Sequence, residues 1–200
     1  MQTIPQNAVE LAVAAEPCLS HTVLQCQDDT ESIRTVLRAY RGVGNLLAHS
    51  NDLTSTLSSD ELAELLRSFT TAMDARLLNL TSKLRSTNGA LRELRDRRSI
   101  DAQAPHLAFE ALDQMVHLGF GRDAFAAMHS LAPYAEHAEP GDLSAALQIL
   151  GENMAARLQI MDDQLDGLHA ALGQHEAQAA AAMAVPVMVA SAAPASEAQP

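Results

Sequence analysis

Three observations predict an all-α fold, an antiparallel helical bundle with long coiled-coil-like helices. Aromatic residues are 3% of the 200-residue chain and Trp is absent, so Leu, Val, Met and Ala must fill the core, a composition suited to helix seams. Three segments carry apolar side chains at alternating spacings of three and four, the signature of one buried helix face. Short runs of Ser, Asn, Asp, Pro and Gly separate these segments.

Residues 1–28 contain Pro5, Pro17 and one short apolar run, and are expected to form a mobile N-terminal arm. The first helix is expected to open at Asp29 or Thr30, where a capping residue precedes the seam of Ile33, Val36, Tyr40, Val43 and Leu47. His49, Ser50, Asn51 and Asp52 end that pattern. Ser58 and Glu61 then form a capping box ahead of the second helix. Its ridge is Leu62, Leu66, Phe69, Met73, Leu77, Leu80, Leu84 and Leu91, with an eleven-residue repeat close to the natural helix period. Ser86, Thr87, Asn88 and Gly89 are its weakest stretch, but Leu91 and Leu94 resume the seam, so the helix is predicted to continue to about Asp96.

Pro105 suits the first turn of a third helix. Gly119 and Gly121 interrupt that segment and Pro133 limits it, predicting two shorter helices joined by a bend. Pro140, Gly141 and Asp142 read as a turn ending in a cap. The last helix follows with Leu147, Leu150, Met154, Leu158, Met161, Leu165, Leu168 and Leu172, and should reach about Gln178. Residues 29–180 are thus the expected bundle, and 181–200 a disordered Ala/Pro-rich tail. Short connections favour up-down-up-down neighbours.

The chain has 25 acidic and 13 basic residues, a formal charge of −12, which disfavours nucleic acid and anionic membranes as partners. Its basic residues are unevenly placed. Lys83, Arg85, Arg92, Arg95, Arg97 and Arg98 cluster, whereas Arg122 and Arg157 are the only Lys or Arg between Glu110 and Glu176. Complementary faces meeting inside the fold or across a dimer account for this; a nucleic-acid patch over 83–98 is the alternative. No stretch is long and apolar enough to span a bilayer, and the N-terminus lacks the positive charge of a secretory signal. Cys18 and Cys26, with His21 between them, fall one ligand short of a structural zinc site and fit a reduced compartment.

The histidines are the main candidates for chemistry. His106, Glu110, Asp113 and His117 share one helix face, a ligand set that a transition metal accepts. On a helical wheel, however, they lie opposite Ala108, Leu112 and Met115, which places them toward solvent. Asp162, Asp166 and His169 flank the last seam, where charge pairs with Lys83 or Arg85 are expected. Bundle di-iron sites need two Glu-x-x-His copies, and Asp166-x-x-His169 occurs once. His129 begins a His-Ser-Leu stretch like that of histidine phosphotransfer domains, but Ala132 and Pro133 stand where those domains carry Lys and Gly. A His-dependent bundle, metal-binding or phosphotransfer, is therefore the alternative and not the main expectation. No Gly-rich phosphate loop or nucleophile elbow is present.

The expectation is a non-enzymatic, cytoplasmic helical interaction protein: an adaptor, chaperone or regulatory subunit. It uses no cofactor and no metal, and binds a protein partner or itself, as a homodimer, with no nucleic-acid or membrane partner. A first helix half as long as the second and fourth would leave seam ends bare. Leu77, Leu80, Leu84, Leu165, Leu168 and Leu172 would then be the contact residues.

Overall fold

A computed structural model describes residues 7–49, 58–97, 100–131 and 140–183. They form four helices: α1 (Asn7–His49), α2 (Ser59–Asp96), α3 (Gln103–Leu131) and α4 (Pro140–Met183). Each packs chiefly on two neighbours, α1 and α3 both lying against α2 and α4, so α2 and α4 are diagonal. Every neighbouring pair is antiparallel. Along α1 and α4, Ser20 meets Glu176, Gln27 meets Asp166 and Gly44 meets Ser144. Asp29 and Tyr40 of α1 reach Lys83 and Thr70 of α2. The predicted up-down-up-down bundle is the observed one.

The predicted seams form its core. Ile33, Val36, Tyr40, Val43 and Leu47 are buried, as are Leu62, Leu66, Met73, Leu77, Leu80, Leu84 and Leu91. The Tyr40 ring stacks on Phe125 of α3, with centroids 4.0 Å apart, and meets the edge of Phe69 of α2 at 5.3 Å. Three helices are thereby joined at one aromatic cluster. The Ser58–Glu61 capping box is present, with Glu61 N–H donating to Ser58 Oγ and Ser58 N–H donating to Glu61. The Ser58 N–H and the Ser58 hydroxyl both donate to the Glu61 carboxylate, which holds it below its usual range. As predicted, α2 continues through Ser86 to Gly89 to Asp96.

Three boundaries differ from expectation. The first helix does not open at Asp29 or Thr30; it begins at Asn7, and Leu19, Val23 and Cys26 are buried. The seam in fact runs Leu19, Val23, Cys26, Thr30, Ile33 and Leu37, at unbroken spacings of four and three. Cys26 and Thr30 occupy core positions without being obvious core residues, which hid its continuity. Second, α3 is one helix, not two. Glycine only weakens a helix, and at Gly121 its lack of a side chain is used: a Cβ there would stand 2.5 Å from Met154 Cγ of α4. Third, α4 opens at Pro140, whose fixed φ suits a first turn, and extends beyond Gln178 to Met183. The expected tail beyond Met183 and residues 1–6 of the expected arm lie outside the described residues.

Candidate interaction surface

The six leucines expected to meet a partner are core residues. Leu80, Leu84, Leu165 and Leu168 have no exposed surface, and Leu77 and Leu172 are 7% and 3% exposed. The reason is the length of α1: at 43 residues it nearly matches the 44 of α4 and covers that seam to its end. Among the described residues, α1 leaves none of these six leucines bare.

The flanking charges are also paired differently from expectation. Asp162 accepts from Thr30 Oγ1 at 2.6 Å and pairs with the Arg34 guanidinium, and Asp166 accepts from Gln27 Nε2 at 2.6 Å. All three partners lie on α1. Lys83, the expected partner, instead binds Asp29 of α1 at 2.7 Å. Diagonal placement of α2 and α4 keeps Lys83 and Arg85 away from the acids of α4.

The polar face of α3 points outward, as its wheel position requires. His106 Nε2 lies 3.2 Å from Glu110 and His117 Nε2 lies 3.9 Å from Asp113, all four side chains at least 40% exposed. Among the described residues, no group of three or more His, Cys, Asp or Glu is placed to hold a metal ion. His129 sits half-buried in the last turn of α3. Cys26 is buried and burial pushes its thiol up to about 12, so it is a neutral core side chain at physiological pH. Among the described residues, no helix is long and apolar enough to cross a membrane.

What the sequence reading missed is a second apolar stripe on α3. Phe109, Val116 and Phe120 recur at i, i+7 and i+11, and lie beside the polar stripe on the side away from the core. They are 53%, 56% and 66% exposed, and Leu78 of α2 is 74% exposed. The opposite face of the same helix buries Ala104, Ala108, Ala111, Leu118 and Phe125. A helix apolar on both faces normally has both covered. Between α2 and α3 on this side lies a cleft of about 380 Å³ lined by Asp74, Leu77, Leu78, Met115, Gly119 and Arg122. The signal was present in the weak amphipathicity of α3, but the His and carboxylate spacing on the same turns drew the reading instead. The other exposed large apolar side chains, Leu24, Leu46, Ile149 and Ile160, are spread over α1 and α4 at least eleven residues apart.

Charge is segregated along this face. At one end Arg92 and Arg95 line a cleft of about 280 Å³ with Pro105, His106 and Phe109. At the other, Arg122 binds both Asp74 (3.3 Å) and Asp123 (2.9 Å), leaving two carboxylates to one guanidinium. Comparison with protein-family models, with curated proteins and with solved structures finds no match.

Proposed function

We propose that this chain is a non-enzymatic interaction protein, an adaptor or regulatory subunit, that docks a helical partner on the outward face of α3. The observation that carries this reading is the exposed row Phe109, Val116 and Phe120 on a helix whose inward face is already fully packed. Adding Leu78 gives an aromatic and aliphatic strip flanked by charge, the form of a helix-in-groove or helix-on-helix contact. The buried leucine seams supply the rigid scaffold in this account, a different role from the one their pattern suggested. The buried, protonated Cys26 is compatible with the reducing cytoplasm.

The 83–98 cluster gives less support to nucleic-acid binding. Lys83 is consumed by Asp29, Glu93 and Asp96 lie among the arginines, and the whole chain carries −12.

A photo-reactive amino acid placed at position 116, in cells that make the chain naturally, tests the proposal. The expected result is a discrete adduct to another polypeptide, absent when the same group replaces Asp163 on exposed α4. Equal labelling at both positions, or none at 116, would overturn it.

A further inference from the structure

We infer that the occupant of the α3 face is a second copy of this chain, related by a two-fold axis that crosses α3 near Met115, with the two α3 helices antiparallel. The inference rests on the docking reading above and supplies its partner. Three features of the face argue for it.

The first is symmetry of the apolar row. Phe109 and Phe120 are eleven residues apart, about 16 Å along the helix, and their midpoint falls between Gln114 and Met115. Turning the row about that midpoint lays Phe109 of one copy on Phe120 of the other, twice, and brings Val116 beside the axis. A self-complementary patch is what an isologous interface requires. Asp113, within the stripe, falls next to the second copy's His117.

The second is charge. Arg92 and Arg95 share a cleft with Phe109, and among the described residues neither has an acidic partner on another helix. Asp123 lies one turn beyond Phe120, and Asp74 is tied to the same Arg122 as Asp123. Pairing Phe109 with the second copy's Phe120 therefore sets Arg92 and Arg95 against the second copy's surplus carboxylates. A parallel pairing would set arginine against arginine. One arrangement thus accounts for the bare apolar row and for two arginines that, among the described residues, have no acid on another helix of their own chain.

The third is extent. The 29 residues of α3 span roughly 44 Å. About this axis residues 103–126 of the two α3 helices overlap, roughly 36 Å, and with α2 alongside the face is roughly 20 Å wide, giving on the order of 700 Å² per copy, within the range of a standard stable interface.

Sedimentation of the full chain at micromolar concentration tests this, with circular dichroism confirming that each variant keeps its helix content. The wild type should sediment at twice 21.3 kDa. R92E/R95E should weaken self-association at least tenfold, because acid then faces acid. Adding D74K/D123K to that same chain should restore it, because both ends are exchanged together and remain complementary only in the antiparallel pair. A wild type at 21.3 kDa throughout, an R92E/R95E chain that dimerises as tightly as wild type, or a four-fold variant that does not recover would each overturn the inference. The outcome separates from that of the docking reading. Adducts at position 116 to a different polypeptide, with a monomeric chain, would leave docking standing and remove the second copy; no adduct at all would remove both.

Discussion

Gly121 of α3 lies so close to Met154 of α4 that a Cβ on it would stand 2.5 Å from Met154 Cγ and 2.7 Å from Sδ. Met154 is 1% exposed, and the atom hit first is near the root of its side chain, so little room exists to turn away. Gly121→Ala gains about 1 kcal/mol of helix propensity but overpacks the core at a cost of about 1–3 kcal/mol. We expect net destabilisation of about 1 kcal/mol. Gly89, also inside a helix, has nothing within 4 Å of an added Cβ. There Gly89→Ala should stabilise by about 0.5–1 kcal/mol. Urea melts of the two variants should shift in opposite directions; equal shifts would mean that α3 and α4 are not this close.

Burial fixes a dependence on alkaline pH. The Cys26 thiol is pushed from 9.0 to about 12, and the Tyr40 hydroxyl from 10.0 to about 12, both chiefly by loss of water around the charged form. Below pH 9 both groups are protonated in the folded and unfolded chains and contribute no pH dependence. Above it the unfolded chain releases protons that the folded chain keeps, so stability falls as pH rises toward 12. The slope should be about 1.4 kcal/mol per pH unit once Cys26 of the unfolded chain ionises, and about twice that above the unfolded value of Tyr40. Cys26→Ala should remove the first part alone. Denaturant midpoints from pH 8 to 11 measure this, and a flat wild-type profile would contradict it.

The parts of this fold legible in the sequence are those where apolar spacing and local chemistry agree. The α2 ridge, the Ser58–Glu61 box and the α4 heptads all reappear on the helices that their spacing predicts, although the leucines expected to be bare at the seam ends are buried. The start of α1 was not legible because its seam passes through Cys26 and Thr30, and the Thr30 hydroxyl is satisfied there by the Gln27 carbonyl one turn back and by Asp162, an acid 132 residues away. Gly121 looked like a break because no sequence pattern shows that another helix presses on it. The interaction surface was misplaced for a related reason. Leu165 and Leu168 look sticky in isolation, and only the full length of α1 shows that they are covered. Phe109, Val116 and Phe120 are interleaved with His106, Asp113 and His117, so the solvent side of α3 read as polar.

The helix order makes a sharper test than any single ion pair. Asp162 belongs with Arg34 and Thr30 of α1, whereas Lys83 belongs with Asp29. Arg34 and Asp162 are each about four-fifths covered, so their coupling should exceed that of an exposed pair. A double-mutant cycle of D162A with R34A should give about 1–2 kcal/mol of interaction, and D162A with K83A less than about 0.3 kcal/mol. The reverse ranking would place α2 next to α4 and undo the packing order described above.

Scaffold and surface should separate cleanly by substitution. Leu168 is fully buried, and Leu168→Ala removes three carbons from a packed seam, which costs about 2–5 kcal/mol depending on how far the cavity collapses. Val116 is 56% exposed, so Val116→Ser should change the stability of an isolated chain by no more than about 0.5 kcal/mol. The comparison belongs at nanomolar concentration, because a docked copy would otherwise add apparent stability by mass action. At that dilution L168A should unfold at much lower urea than wild type while V116S matches it. At micromolar concentration V116S should self-associate more weakly than wild type. L168A should keep its self-association wherever it remains folded, since Leu168 is fully buried whereas Phe109, Val116 and Phe120 lie on the exposed side of α3. A V116S chain as unstable as L168A would mean that Val116 is a core residue, and the α3 face would lose its claim to be a binding surface.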